Sequence, residues 1–181
     1  MVYTPPHSRP RCVSASEDMD LWFAARNGNY ELLQRCCEDK EYFDKYRDMG
    51  HEFNGDIYTP LQIAIARSKT GAALFLIEHG AELDCTMKNG DTLLHMTIQY
   101  RLFSVALALL LNKENVNTRN DMGITPLYLA VWKKQLKFVK LFMKYNANPN
   151  ALAMNNLSPL SIAQRWGDQE AVECMQRDLL K

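Results

Sequence analysis

Between residues 125 and 150 the apolar and polar positions form two helical blocks with a turn between them. In the first block Leu127, Ala130 and Val131 share one face. They follow Thr125, whose hydroxyl can cap a helix start, and Pro126, whose missing N–H costs nothing in a first turn. The second block, over 136–145, gathers Phe138, Val139, Leu141 and Phe142 on one side and turns Lys137, Lys140 and Lys144 outward. Asn146-Ala147-Asn148-Pro149-Asn150 then ends it. Such a helix pair cannot cover its own apolar faces, so it is expected to stack on neighbours of the same kind.

The neighbours are visible in the sequence. Thr59-Pro60-Leu61, Thr92-Leu93-Leu94, Thr125-Pro126-Leu127 and Ser158-Pro159-Leu160 follow one another at steps of 33 residues. Five positions after each hydroxyl stands Ala64, Thr97, Ala130 or Ala163, small side chains where two helices must come close. The apolar strings at 73–77, 106–110 and 139–143 read as the second helix of each unit. A further unit begins near Met19, with Leu21 to Gly28 and then Leu32-Leu33 in matching places. The step from 19 to 59 is 40 residues, so the first connection is longer by seven and forms a finger over about 38–58, mixing acids with Tyr42, Phe43, Tyr46, Phe53 and Tyr58. Its inserted residues are expected to lack a repeat partner and to be cut early by proteases. Residues 1–18 are expected to be a disordered lead, 19–181 the repeat domain, and the last helix a polar cap that completes the array.

These units resemble ankyrin repeats. Thr92-Leu93-Leu94-His95 is nearest to the family's opening, with Leu93 in place of its proline, and Gly80-Ala81-Glu82-Leu83-Asp84 is nearest to its close. Glu114-Asn115-Val116-Asn117 and Ala147-Asn148-Pro149-Asn150 hold the same register, and the resemblance runs over 19–180. It implies an all-α solenoid of stacked helix-turn-helix units joined by projecting hairpin loops. It also implies that His95 hydrogen-bonds the opening threonine and the neighbouring loop. Family members bind partners through the hairpin tips and the inner helices, which line a concave face. Carried over, the tips offer Tyr58, Lys88, Asp91, Met122, Ile124, Met154 and Leu157, and the inner-helix ends offer Arg67, Tyr100, Trp132, Lys133, Arg165 and Trp166. Tyr100, Trp132 and Trp166 fall in successive repeats, and Trp, Tyr and Arg are enriched at binding hot spots.

Charge and chemistry narrow the function. The 21 cations balance 21 acids, so no net field draws the molecule to nucleic acid or to an anionic membrane. Charge is unevenly spread: residues 17–56 hold eleven acids against five Lys or Arg, and 112–150 hold seven Lys or Arg against two acids. The Lys137, Lys140, Lys144 stripe lacks interleaved aromatics and reads as a solvated convex face. The longest apolar run, 105–111, is too short to span a bilayer, which takes about 20 residues. Five irregularly spaced cysteines suggest neither a disulfide framework nor a zinc site. No phosphate-binding glycine loop, nucleophile elbow or metalloprotease motif occurs in the sequence. The expectation is a cytoplasmic monomer, also compatible with the nucleus or a host cytosol. It uses no cofactor or metal, and it captures one protein partner as an adaptor or inhibitor. The alternative is a targeting module of a larger regulatory or host-directed assembly.

Overall fold

The computed structural model describes residues 19–154 and 156–178; the lead over 1–18 and the tip residue Asn155 lie outside the described residues. The chain divides into two compact units, Met1–Lys88 and Asn89–Lys181. The first holds α1 (Met19–Asn27), α2 (Tyr30–Glu38), α3 (Lys40–Tyr46), strands β1 (His51–Phe53) and β2 (Asp56–Tyr58), then α4 (Pro60–Ala66) and α5 (Thr70–Glu78). The second holds α6 (Leu93–Gln99), α7 (Phe103–Leu111), α8 (Pro126–Trp132), α9 (Leu136–Lys144), α10 (Pro159–Trp166) and α11 (Gln169–Asp178). In the first unit α1 packs on α4; in the second, α8 packs on both α6 and α10, and α9 on α11.

In the four pairs after the first, the opening helix starts where the hydroxyl series falls. Thr59 Oγ1 accepts the Gln62 N–H at 3.2 Å while Gln62 Oε1 accepts the Thr59 N–H at 2.9 Å, a reciprocal capping box. Thr125 Oγ1 accepts from the Tyr128 N–H, and Ser158 Oγ from the Ser161 N–H, each at 3.2 Å. The small residues five positions on, Ala64, Thr97, Ala130 and Ala163, are fully buried. Thr97 turns its hydroxyl back to the Leu94 carbonyl at 2.7 Å, so the one polar member of the series is satisfied within its own helix. Leu127 of α8 is buried, and in α9 Phe138, Val139, Leu141 and Phe142 are buried and Lys137, Lys140 and Lys144 exposed, which gives α9 the two faces its spacing predicts.

The chain reverses at the same register in every pair. Gly28, Ser68, Arg101, Lys134 and Gly167 all adopt left-handed backbone conformations, with φ between 53° and 71°. Only two of the five are glycine; at the others the helix-to-helix packing holds a conformation that costs an L-residue roughly 1–2 kcal/mol.

The long first connection departs from expectation, because its residues are packed. Asp39 Oδ1 accepts the Tyr42 N–H at 3.0 Å and starts α3, which buries Phe43. Asn54 and Gly55, at φ 54° and 82°, form the tight turn that pairs β1 with β2 in the register His51 with Tyr58 and Phe53 with Asp56. Trp22 Nε1 donates to the Tyr58 carbonyl at 2.9 Å, and the Arg26 guanidinium lies 4.8 Å from the Phe53 ring centroid. Asp48 Oδ1 accepts the Glu82 N–H at 2.6 Å, fastening the connection at its other side. The inserted segment therefore has partners in α1 and in the turn after α5.

The buried alanine series sets the helix spacing, so enlarging one member should overpack the stack. Ala130→Leu is expected to destabilise the protein by roughly 1–3 kcal/mol, read as a lower urea midpoint with an unchanged helical circular-dichroism spectrum.

Candidate functional site

In the second unit the ends of α6, α8 and α10 lie side by side. Gln135 Nε2 donates to the Ile98 carbonyl at 2.9 Å, which seats the α8–α9 turn against the end of α6. The Trp132 and Trp166 rings are 5.0 Å apart and tilted by 50°, which joins the ends of α8 and α10. Tyr128 lies stacked behind Trp132 at 6.5 Å, and Lys134 Nζ is 5.8 Å from the Trp166 ring centroid. Trp132 is 52% exposed, Trp166 40% and Tyr100 37%, large apolar surfaces left to solvent at the last residue of α8 and α10 and one position beyond α6. Arg165 is exposed beside them and Lys133 half-buried.

At the other end of these helices the tips form a backbone ladder. The Asp121 N–H donates to the Asn89 carbonyl and the Met154 N–H to the Met122 carbonyl, both at 3.1 Å. Asn120 organises its tip: its Oδ1 accepts the N–H groups of Met122 and Ile124 at 3.0 and 2.9 Å, and its Nδ2 donates to Asp91 Oδ1 at 2.7 Å. Asp91 is thus half-buried and engaged. Met122 and Met154 project, 61% and 76% exposed, whereas Ile124 and Leu157 are half-buried.

Three of the sequence-derived positions belong to the first unit. Tyr58 is half-buried, its carbonyl accepting from Trp22 and its ring edge-on to Phe53. Lys88 is exposed, donates to the Gly55 carbonyl and pairs with Asp56 at 2.9 Å, so it braces the β1–β2 turn. Arg67 is exposed at the end of α4. Arg101 and Lys134, absent from the sequence-derived positions, lie next to them just past the ends of α6 and α8. Their signal was available: both stand at the left-handed turn register that Gly28 and Gly167 mark elsewhere.

The groups with chemical potential are committed to structure. His95 is buried; its Nδ1 accepts the Thr92 N–H at 3.2 Å, and its Nε2 lies 3.0 Å from the Ile124 carbonyl. Because a backbone N–H can only donate, the network places the imidazole proton on Nε2, which donates to Ile124. Burial lowers the His95 pKa from 6.5, against smaller opposing effects of Asp91 and the Ile124 carbonyl. Burial also pushes the Cys37 thiol up to about 11, with Cys36 adding to the shift, so it is not an activated nucleophile. Among the described residues no group of three His, Cys, Asp or Glu is placed to hold a metal ion, and no helix is long and apolar enough to cross a membrane.

A family model for ankyrin repeats matches three overlapping stretches, residues 21–120, 69–153 and 105–177. The chain belongs to the ankyrin-repeat family. Its fold is the all-α repeat solenoid class, and ankyrin repeats generally serve as protein-interaction modules. Curated relatives include the mouse nuclear factor NF-kappa-B p105 subunit, 29% identical over 84% of this chain and 16% of the relative. A human ankyrin repeat and SOCS box protein 16 is 33% identical over 62% of this chain and 25% of its own length. The Latrodectus tredecimguttatus alpha-latrocrustotoxin-Lt1a is 29% identical over 66% of this chain and 8% of the toxin. The ankyrin-repeat chain thus spans a quarter or less of the length of these relatives.

His95 generates a pH prediction. Its pKa is lowered in the folded protein, so below its ordinary value of 6.5 the unfolded state takes up a proton that the folded state resists. Stability from this group is complete above 6.5 and is lost as the pH falls toward the lowered folded value. In urea titrations at a series of pH values, His95→Gln should remove this component of the acid destabilisation. It should also cost about 1–3 kcal/mol at neutral pH through the disturbed buried hydrogen bonds.

Proposed function

We propose that the ankyrin-repeat chain captures a protein partner on the face of its second unit formed by Tyr100, Trp132 and Trp166, with the projecting Met122 and Met154 tips as a second contact row. The observation that carries this reading is the contrast within single helices. Leu127 and Ala130 of α8 are fully buried, while Trp132, at its last position, is half-exposed against Trp166. Large aromatic surface on a rigid, already packed support offers binding energy with little ordering cost. Lys133, Arg165, Ile124, Leu157 and Asp91 frame the contact, and Tyr58, Arg67 and Lys88 would serve on the first unit.

Binding is favoured over catalysis because His95 and the opening hydroxyls are engaged in helix starts and tip contacts. The role we favour is that of a cytoplasmic, monomeric adaptor or inhibitor that uses no cofactor. A second reading, a targeting module of a larger regulatory or host-directed assembly, is supported by the human relative, whose name joins ankyrin repeats to a SOCS box.

The test separates contact from core. Trp132→Ala and Trp166→Ala should each change folding stability by no more than about 0.5 kcal/mol and weaken capture of a partner selected with the wild type by about 2 kcal/mol or more. Leu127→Ala, which removes a fully buried side chain, should instead destabilise the fold by about 2–5 kcal/mol. Thermal melts and binding isotherms on the same samples check both; melting of the tryptophan variants like Leu127→Ala would place the rings in the core and remove the proposed site.

A further inference from the structure

The exposed aromatics of the second unit are accompanied by four cations. Arg101, Lys134 and Arg165 are exposed and Lys133 half-buried around the ends of α6, α8 and α10. None of these four cations forms an ion pair with a described residue. Of the carboxylates that follow in the chain, one caps a helix and one is ion-paired. Asp168 Oδ1 accepts the Ala171 N–H at 3.2 Å and starts α11, and Glu170 pairs with Lys140 at 2.9 Å. The Gln135 bond to Ile98 and the Trp132–Trp166 contact hold the three helix ends as one surface, so the cations and rings are presented together. Two of the cations, Arg101 and Lys134, also occupy left-handed positions where the equivalent Gly28 and Gly167 are conformationally easier.

Resting on the interaction reading above, we propose that this face takes an acidic peptide segment of a partner protein, in which Asp or Glu residues flank a bulky apolar or aromatic side chain. The apolar side chain lies against Trp132 and Trp166, and the flanking carboxylates meet Arg101, Lys133, Lys134 and Arg165. Complementary charge of this kind raises the encounter rate and selects the partner, while the aromatic contact slows release. A nucleic-acid strand fits the observations less well. The two indole rings are tilted by 50° and close on each other at 5.0 Å, which leaves no parallel gap for a base, and the chain as a whole carries no net positive charge to hold a polyanion.

The experiment is a selection of random displayed peptides on the immobilised full chain, followed by titration of the selected peptides in synthetic form. The expected result is enrichment of peptides with an excess of Asp and Glu around an aromatic or large aliphatic residue. Their affinity should fall at high salt and drop about tenfold or more in a Lys134→Glu, Arg165→Glu variant whose melting temperature is unchanged. They should also lose binding to the Trp132→Ala, Trp166→Ala variant. Neutral or basic peptides that still depend on the two tryptophans would overturn the acidic partner class and leave the aromatic contact reading standing. Selected peptides indifferent to the tryptophans, or no enrichment at all, would overturn both. Equal affinity for an oligo-thymidine strand would overturn the peptide in favour of a general polyanion site. Concentration-dependent self-association in sedimentation, abolished by Trp132→Ala, would replace the peptide by a second copy of this chain.

Discussion

A helix of seven residues has almost no stability of its own, since isolated helices shorter than about 12–15 residues are marginal in water. The helices that open three of the pairs, α4, α6 and α8, are each seven residues long. They exist because both ends and one face are supplied from outside. Thr59, Thr125 and Ser158 satisfy first-turn donors, prolines preset the first turn of α4, α8 and α10, and the buried alanine or threonine in the middle lets the next helix approach. The same dependence explains the polar core. Gln62, His95 and the opening hydroxyls are buried and bonded in the helix starts and tips that they close, and Thr97 bonds back within its own helix.

That economy of helix length has a functional consequence. Most positions of α8 are spent on packing, and at its last residue and the turn beyond it the sequence places Trp132, Lys133 and Lys134. The ends of α6 and α10 repeat the pattern with Tyr100 and Arg101, and with Arg165 and Trp166. The contact proposed above therefore lies in positions that the stack does not need. Trp132→Ala and Leu127→Ala, five residues apart on one helix, are expected to have opposite signatures for that reason.

The long first connection shows the same constraint met by other means. An insertion that interrupts a repeat must bring its own support, and this one brings a capped helix that buries Phe43, an Asn54-Gly55 hairpin, and anchors at Trp22 and Glu82. Its acids are partly used internally, since Arg47 pairs with Asp44 at 2.8 Å and with Asp48 at 3.2 Å. The acidic excess read along residues 17–56 is to that extent structural, whereas the cations at the ends of α6, α8 and α10 remain available.

The 33-residue step, the hydroxyl helix starts, the buried Ala64, Thr97, Ala130 and Ala163 and the two-faced α9 were all legible in the sequence. Each rests on spacing within one repeat, where neighbours in the chain are neighbours in space. The role of His95 was legible only through the resemblance to ankyrin repeats, which implied its bonds to the opening threonine and the neighbouring loop; spacing alone did not give it. The packing of the inserted segment was not legible, although Asn54-Gly55 is a recognisable turn signal, because Trp22 and Glu82 reach it across 36 and 34 residues of chain, from either direction. Nor was the joining of Trp132 to Trp166 under Lys134, which depends on how the ends of two repeats meet. Local periodicity is a one-dimensional property and survives in a list of residues. Which exposed rings and charges share one surface is decided by the angle and spacing at which packed helices come together, and only the tertiary structure sets that.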